Sequence, residues 1–404
     1  MKAIYNWMMA AARVFAREWY LIVHDPGIIM FFVVLPLMYP VVYSLIYNPE
    51  VVRELPIAVI DHDRTAASRQ LVRDVAAAPA FEIYDYTPDL PAAKRLMAEN
   101  KVFGILEIPD DYGKRIGRME TGTATFYSQM DLLIRYRAFM SAISDVQLKA
   151  IGDITADRAA MLGVLGSELS GMPINEQSNM LGDVEQGFAS FIMPGMVILI
   201  LQQSMLLGIC MLGGTSRERR RRNGGRDPWM IQHIPASATI WGRTFAYSIF
   251  YIVPTMWLLR YICVIFDFPH IGSPLEYMVF AVPFVLSSGF MGQALNYFVT
   301  DRESSFVVVV FTSVIFLFLS GLTWPMYAMP DMWQWVSHLI PSSWGVRGFI
   351  HINSNGGSLY ENLDSYAWLW CLTVFYSILA VWVLRIINRR ALRAHRSASS
   401  ISNF

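Results

Sequence analysis

Residue types that can transfer protons or bind metal ions lie close together at two places in the first half of the chain. Asp61, His62 and Asp63 follow one apolar run, and Asp110 and Asp111 follow another. Carboxylates and an imidazole in this arrangement could bind a metal ion or act as acid and base. An aspartate that follows a predicted strand more often accepts hydrogen bonds from the first N–H groups of the next helix. We therefore interpret these residues as caps and turns, with His62 an exposed turn residue.

Motifs for nucleotide hydrolysis and for covalent or metal catalysis are absent from the sequence. It contains no Gly-x-x-x-x-Gly-Lys-Ser/Thr, the motif of a phosphate-binding loop. It contains no Gly-x-Ser-x-Gly, His-Glu-x-x-His or Cys-x-x-Cys either. We predict that the chain is not an enzyme and that it binds no cofactor or metal ion itself.

Polar side chains within long apolar stretches are a second class of candidate, because a polar group without a partner is costly in hydrocarbon. They are the amides Gln202, Gln203, Gln293 and Asn296, together with Arg260. Two interpretations of the amides remain open: hydrogen bonds between helices, which we favour, and the lining of a substrate path. We expect Arg260 to extend from the end of its helix to the lipid headgroups.

The composition indicates that these side chains are held by the helices of a membrane protein. Of 404 residues, 54% are hydrophobic and 16% are charged, whereas soluble domains have about 25% charged residues. A helix needs about 20 mostly apolar residues to cross a hydrocarbon core of roughly 30 Å. Six stretches meet this requirement: residues 27–48, 187–213, 241–264, 277–299, 306–325 and 367–388.

The charges between these stretches predict which side of the membrane each loop faces, because Lys and Arg are retained in the cytoplasm. With the N-terminus inside, the cytoplasmic segments contain 14 Lys and Arg, and the short outer segments contain only Arg347. Arg217 and the run Arg219 to Arg222 contribute most. A nucleic-acid patch is the alternative for this run, but the run directly follows an apolar stretch and lies within reach of acidic lipids. We predict that both termini are cytoplasmic and that residues 389–404 form a basic tail.

The N-terminal region has apolar residues at helical spacing, which predicts a helix over residues 1–26 that lies in the inner membrane interface. A cleavable signal peptide is the alternative. The apolar stretch begins too late for one, however, and no small-residue cleavage site follows it. We therefore predict that residues 27–48 remain attached as the first transmembrane helix.

Residues 49–186 are long enough for an independent domain, which we place outside the cytoplasm. They contain 21 Asp and Glu but 14 Lys and Arg. Strand and helix patterns alternate, which favours an α/β layer followed by a long return helix. The predicted strands are at 55–60, 81–86, 102–108 and 123–129, and the predicted helices at 64–78, 90–99 and about 132–166. The predicted fold class is thus an α-helical membrane protein with six transmembrane helices and an α/β extracytoplasmic domain.

Residues 187–388 are predicted to form a five-helix transmembrane region with an unusual outer segment. Residues 326–350 are too apolar and aromatic for a free loop and too interrupted by proline for a span. We predict short re-entrant helices in the outer interface. Trp324, Pro325 and Trp333 are candidates for an outer gate, and a simple aromatic belt at the interface is the alternative.

Short motifs in a fixed order extend over nearly the whole chain. They are Glu18, Asp25-Pro26, Pro36, Leu55 to Asp61, Val102 to Pro109, Phe191 to Gly195, Arg217 to Arg219, and the stretch from Ser320 to Pro341. In order and spacing these motifs resemble those of the type-2 ABC exporter permeases, in the branch with a large domain between the first two spans.

The resemblance implies a permease subunit of the bacterial inner membrane that forms a dimer with a second copy or a paralogue. A separate ABC ATPase subunit would bind ATP and Mg²⁺, and the outer domain would contact a periplasmic adaptor or deliver substrate outward. The substrate would be amphiphilic or hydrophobic, and no nucleic acid is expected as a partner. Two other functions are considered: a membrane-anchored sensor with an outer ligand-binding domain, and an ion-driven secondary transporter. Short cytoplasmic segments disfavour the sensor, and the lack of a repeat across the spans disfavours the carrier.

The segment 214–240 is the longest internal cytoplasmic one, so we expect the ATPase to act on the chain there. Asp227, Pro228 and Trp229 predict the start of a short amphipathic helix, and Pro235 its end. Together with Glu218, these residues are our candidates for ATPase coupling. Two roles remain open for Trp229: docking in a cleft of the ATPase, or anchoring the segment in the lipid interface.

Overall fold

The computed structural model describes residues 2–47, 53–118, 120–129, 133–162, 187–224 and 234–401. The chain divides into two compact units. Residues 1–48 and 180–404 form one, here called the helical unit, and residues 49–179 form the other, here called the α/β unit.

The helical unit begins with α1 (Lys2–His24) and α2 (Pro26–Ile46). The predicted N-terminal helix is therefore present, and it is separated from the first span at Asp25. The carboxylate of Asp25 accepts hydrogen bonds from the N–H groups of Gly27 and Ile28. A proline in the first position of α2 suits the helix start, because that position needs no N–H partner.

The α/β unit is a four-stranded sheet with helices on both faces. Its elements are β1 (Leu55–Asp61), α3 (Ala66–Ala77), β2 (Phe81–Tyr86), α4 (Leu90–Ala98), β3 (Gly104–Ile108), α5 (Tyr112–Gly117), β4 (Thr125–Ser128) and α6 (Leu133–Leu162). The strand order is β2-β1-β3-β4. The first three strands are parallel and β4 is antiparallel to β3. The strands lie within or close to the predicted ranges, because their apolar runs are bounded by clear turn residues.

The central strand β1 is buried on both faces, which explains its continuous apolar sequence. Ile57 to Ile60 are all buried, as expected of a parallel strand covered on both faces. Ile57 and Val59 pack with side chains of α3 and α6 on one face. Ala58 and Ile60 pack with Ala93 of α4 on the other. Thr65 caps α3 and Asp89 caps α4, each by accepting a hydrogen bond from a backbone N–H group.

The remaining helices belong to the helical unit. They are α7 (Phe188–Arg222), α8 (Ala236–Phe250), α9 (Ile252–Ile265), α10 (Pro274–Leu295), α11 (Ser304–Leu319), α12 (Asp331–His338), α13 (Pro341–Asn353) and α14 (Leu363–Ile401). α7 is the central helix, since 83% of its most apolar window is buried within the chain. α14 continues to Ile401, well beyond the predicted end of the last span at residue 388.

Helices occur at all six predicted spans, but not all six are long enough to cross a membrane. Among the described residues, four helices meet the requirement of length and composition: α2, α7, α10 and the first part of α14. α8 and α9 together make a fifth candidate with a bend of 44° between them. α11 has 16 residues, which corresponds to only about 24 Å of helix. The structure thus gives four to five candidate spans.

The predicted short helices of segment 326–350 are present. A 3₁₀ turn (Met326–Ala328) is followed by α12 and α13. Pro330 precedes α12, and Pro341 is the first residue of α13. Proline lacks the N–H group that a helix interior requires, so each proline begins a new helix here.

Candidate functional site

The end of the helical unit where α7 finishes carries a cluster of charged side chains. Arg217 and Arg219 to Arg222 lie in the last turns of α7. The short segment 300–305, which joins α10 to the first turn of α11, lies against this end of α7, and Arg302 in it also contacts Asp25, the residue that precedes α2. We call this region, together with the neighbouring end of α8, the basic end of the helical unit.

Arg302 binds Asp25 through two parallel hydrogen bonds. Its two terminal guanidinium nitrogens donate to Asp25 Oδ2 at 2.9 Å and to Asp25 Oδ1 at 2.7 Å. Burial raises the pKa of Asp25, but the hydrogen bond and charge of Arg302, with the N–H groups of Ile28 and Gly27, outweigh it and leave this pKa below its ordinary value. A two-pronged, charged contact of this kind is stronger and more directional than a neutral hydrogen bond.

The backbone of Arg302 makes a second contact, to Glu218 near the end of α7. The N–H of Arg302 donates to Glu218 Oε1 at 2.8 Å. The backbone of segment 300–305 also lies directly against α7 at Gly214, where a Cβ atom would collide with the carbonyl of Asp301. Glycine is therefore required at 214 by the close approach of two backbones.

Segment 300–305 is itself held in one conformation by reciprocal hydrogen bonds. The N–H of Ser304 donates to Asp301 Oδ1 at 2.8 Å, and the N–H of Asp301 donates to Ser304 Oγ at 3.1 Å. The N–H of Ser304 and the hydroxyl of Thr300 also lower the pKa of Asp301. A short, fixed segment positions Arg302 so that it can contact α2 and α7 together.

A second charged cluster joins α1 to α8. Glu18 of α1 is 2% exposed. Its Oε1 accepts hydrogen bonds from Arg243 Nε at 2.9 Å and from a terminal nitrogen of Arg17 at 2.6 Å. Its Oε2 accepts a hydrogen bond from the hydroxyl of Tyr247 at 3.2 Å. The buried carboxylate is thus matched by charged and neutral donors, as burial of a charge demands.

The backbones of α1 and α8 approach closely beside this cluster. A Cβ atom at Gly242 would collide with the carbonyl of Ala11. Farther along, the indole N–H of Trp7 donates to Ser237 Oγ at 3.1 Å. α1 is therefore fixed along α8 by packing and by polar contacts, so the two helices are expected to move together.

Of the predicted coupling residues, the structure describes Glu218 and Pro235, and both lie at the basic end. Glu218 contacts Arg302, as described above. Pro235 directly precedes α8, and its carbonyl accepts a hydrogen bond from the N–H of Thr239. Asp227, Pro228 and Trp229 lie outside the described residues. The structure therefore brings Glu218 into a network and leaves the predicted amphipathic helix as a prediction.

The four span amides fall into two pairs. Gln293 donates to Thr244 Oγ1 at 2.5 Å and to the carbonyl of Ile240 at 3.1 Å. The side-chain amide of Asn296 donates to the carbonyl of Ile209, and the backbone carbonyl of Asn296 accepts a hydrogen bond from Arg217. These two amides connect helices, as the interpretation we favoured expects.

Gln202 and Gln203 lie in the middle of α7 and differ from that pair. Gln202 is fully buried and Gln203 is half-buried. Among the described residues, neither amide has a hydrogen-bond partner for its oxygen or its nitrogen. A buried amide without partners is unfavourable, which makes these two side chains the stronger candidates for contact with a polar group from outside the chain.

The candidate gate residues lie around the 3₁₀ turn and on α12. The indole N–H of Trp324 donates to the carbonyl of Ala328 at 3.2 Å, and Pro325 immediately precedes the turn. Trp324 and Trp333 are 58% and 46% exposed. Exposed aromatic rings around the 3₁₀ turn and on α12 are consistent with an outer gate and equally with an aromatic belt at the membrane interface.

The prediction that the aspartates cap the helices that follow them is wrong for Asp61 and Asp111. Asp61 accepts hydrogen bonds from the N–H groups of Asp63 and Arg64, and Thr65 caps the helix that follows. Asp111 pairs with Arg115 at 2.8 Å and does not cap α5. Within the described residues, no three His, Cys, Asp or Glu side chains are grouped closely enough to hold a metal ion.

Two arginines at the basic end were not singled out from the sequence. Arg302 lies in a short polar segment between two apolar stretches, where charged residues are expected and do not indicate a site. Arg243 gave a usable signal, since an arginine inside a predicted span needs either a polar partner or a path to the headgroups. Glu18 is such a partner, but the two residues are 225 positions apart in the chain.

Comparison with known protein families gives one finding that covers most of the chain. The family described as ABC-2 family transporter protein matches residues 26–382. The matched range begins at the first residue of α2 and includes the end of α7 and the segment with Arg302. A comparison with curated proteins finds no match.

Proposed function

The chain belongs to the ABC-2 family of transporter proteins, and from that premise we propose that it is the permease subunit of an ATP-driven exporter. It moves an amphiphilic or hydrophobic substrate outward across the bacterial inner membrane. A separate ABC ATPase subunit binds ATP and Mg²⁺ and supplies the energy.

The observation that supports an energy-coupled permease is the network at the basic end. Arg302 contacts the start of α2 with its side chain and the end of α7 with its backbone. α1 is joined to α8 through Glu18. A force applied at this end by an ATPase would therefore be transmitted to four helices at once, because charged, multiple hydrogen bonds resist separation.

The proposed orientation follows from the arginine-rich end of α7. Lys and Arg near span ends favour the cytoplasmic side. The basic end and both termini would then face the cytoplasm, and the α/β unit would be extracytoplasmic. α11 would complete six spans if the membrane thins locally or if its ends extend into the interface, as short helices require.

The proposed substrate path passes Gln202 and Gln203. Their amide groups are hydrogen-bond donors and acceptors within an apolar helix, which suits an amphiphile with few polar atoms. Gln293 and Asn296, the other two candidates, would shape the path by holding helices together. Trp324, Pro325 and Trp333 would form its outer gate.

The proposed assembly has further partners. The chain would pair with a second copy or a paralogue, and the α/β unit would contact a periplasmic adaptor. The segment 214–240 would bind the ATPase, with Trp229 as its anchor and Glu218 connecting that segment to Arg302. Asp227 and Pro228 would begin the docking helix, and Pro235 would end it.

The function is tested with the full chain and the ABC ATPase that co-purifies with it from native membranes. We expect ATP turnover by that ATPase to rise when the chain is present in proteoliposomes. We also expect a lipophilic dye to accumulate in inside-out vesicles only when ATP is supplied. ATP turnover by the isolated chain, or accumulation driven by an ion gradient without ATP, would contradict the proposal and favour a different transport class.

A further inference from the structure

The α/β unit contains an open cleft of about 480 Å³ at the end of α3, beside α6. Its walls are formed by small apolar side chains, among them Ala78, Pro79, Ala138, Ala142 and Val146. The volume lies within the range of about 300–1,000 Å³ that is usual for sites of small molecules. Among the described residues, no large apolar side chain lines the cleft, so a short apolar body can lie along these walls.

Asp74 lines this cleft and is the one carboxylate of the cleft that is buried. It is 4% exposed. Its Oδ1 accepts hydrogen bonds from Lys149 Nζ at 2.8 Å and from Gln70 Nε2 at 3.2 Å. Within the described residues, its Oδ2 has no hydrogen-bond partner. A buried acceptor without a donor is unfavourable, so this oxygen favours a ligand that carries N–H groups.

Lys149 is the charged partner of Asp74 in this cleft. The side chain of Lys149 is 56% exposed. A long exposed side chain changes rotamer readily, and its movement toward solvent would open Asp74 to the cleft. The hydrogen bond and charge of Asp74 raise the pKa of Lys149, so the lysine is charged at neutral pH and competes with other cations for this carboxylate.

The cleft carries equal numbers of opposite charges. Asp145 and Lys149 are four residues apart on α6 and therefore on the same face of that helix. With Asp74 and Arg53, the lining has two carboxylates and two cations. For a singly charged ligand, attraction to the two groups of opposite charge is offset by repulsion from the two groups of like charge. A ligand with both charges meets a favourable partner at each end.

We propose that this cleft binds a small zwitterion, in which an ammonium group and a carboxylate are joined by a short apolar body. The ammonium donates to Asp74 and Asp145, the carboxylate accepts from Arg53, and the apolar body lies against the alanine and proline walls. The site is independent of the proposed transport function, since it needs neither ATP nor a partner subunit.

The test uses three probes with the same six-carbon body: 6-aminohexanoate, hexylamine and hexanoate. Binding to the full chain in lipid nanodiscs is measured by equilibrium dialysis with isotope-labelled probes. We expect 6-aminohexanoate to bind at least about tenfold more tightly than either singly charged probe. The exposed-site variants Asp145→Asn and Arg53→Gln should each weaken its binding by about tenfold, since each loses one charged partner.

Asp110→Asn is the matched control, because Asp110 is an exposed acid of the same unit that does not line the cleft. It should bind 6-aminohexanoate like the parent chain. Equal binding of the three probes, equal losses in Asp110→Asn and Asp145→Asn, or no saturable binding would overturn the proposal. Asp74→Asn is informative only if its unfolding temperature matches that of the parent, and the two exposed variants decide the outcome if it does not.

Discussion

Arg302 donates hydrogen bonds to the carboxylate of Asp25 from both terminal nitrogens of its guanidinium group, although the two residues are 277 positions apart in the sequence. Asp25 at the same time caps α2. The backbone N–H of Arg302 donates to Glu218 on α7. One residue thus connects the start of the first span, the end of the central helix and the segment before α11. A subunit driven from this end needs such a connection, because helices that are not joined would move separately.

Arg302→Lys is expected to weaken coupling while leaving the chain inserted in the membrane. Lysine keeps the charge but cannot make two parallel hydrogen bonds to Asp25. The loss of one charge-assisted hydrogen bond, about 1.5–3 kcal/mol, corresponds to roughly a tenfold or greater loss in coupled turnover. The measurement is ATP turnover of the reconstituted ATPase with parent or variant chain.

Glu303→Gln provides the matched control for this prediction. Glu303 is the exposed neighbour of Arg302. It should leave turnover unchanged, because neutralising an exposed charge changes little. If Arg302→Lys and Glu303→Gln behave alike, the contact between Arg302 and Asp25 has no part in coupling.

The contact between Asp25 and Arg302 should be insensitive to pH over the physiological range. The folded chain lowers the pKa of Asp25, so its stabilising effect is fully present above the unfolded value of about 3.9 and is lost as pH falls through the folded value. Asp25→Asn removes the charge and keeps a capping side chain. Its deficit in unfolding temperature should be constant from about pH 5 to 8 and should shrink below about pH 4. A deficit that changes between pH 6 and 8 would show that another group controls this contact.

Glu18→Gln is expected to destabilise the helical unit more than any single surface change. Glu18 is buried with Arg243, and removing one partner of a buried ion pair costs about 3–5 kcal/mol. Arg243 is 20% exposed, which favours the lower end of this range. The effect is measured as the unfolding temperature of purified chain in detergent.

Two further variants separate the ion pair from a general effect of charge on α1. Arg13→Gln changes an exposed arginine of the same helix and should leave the unfolding temperature within about 1 °C of the parent. The double variant Glu18→Gln with Arg243→Gln should recover part of the loss, because neither charge is then left unmatched. Strictly additive losses would argue that the two side chains are not coupled.

The sequence predicted elements well and long-range contacts poorly. β1, with four buried residues in a row, was recognisable because a strand covered on both faces is apolar throughout. α11 was predicted as a full span to residue 325, since apolar residues that follow the helix extend the stretch, but the helix itself ends at Leu319 and has 16 residues. Hydropathy records the apolar run and not the residue at which the helix ends.

The candidate site was predicted only where a local signal existed. Glu218 was found through its position at the end of a span, and its partner Arg302 was not, because their contact joins residues 84 positions apart. Sequence reasoning also treated the four span amides as one class. The structure separates them, since hydrogen bonding depends on which neighbouring helix lies opposite each amide.

Gln202 and Gln293 should respond differently to replacement by leucine. Gln293→Leu removes hydrogen bonds to Thr244 and Ile240, each worth about 1 kcal/mol, and should lower the unfolding temperature. Gln202→Leu removes an amide that has no partner among the described residues and should leave stability unchanged or raised. Its expected effect is a several-fold fall in substrate-stimulated ATP turnover. If Gln202→Leu destabilises the chain and leaves this turnover intact, Gln202 has a structural role and does not line the path.

The orientation of the chain is tested with single cysteines at exposed positions in the two units. Thr123 is exposed in the α/β unit and Asn223 is exposed at the end of α7. The background is Cys371→Ser, because Cys371 is exposed whereas Cys210 and Cys263 are buried. Lys and Arg near the end of α7 favour a cytoplasmic location for that end. A thiol reagent that does not cross membranes should therefore label Thr123→Cys in spheroplasts and should label Asn223→Cys only after the membrane is broken. Labelling of Asn223→Cys in intact spheroplasts would reverse the topology, and it would move the proposed ATPase contact away from the basic end, since ATP is hydrolysed in the cytoplasm.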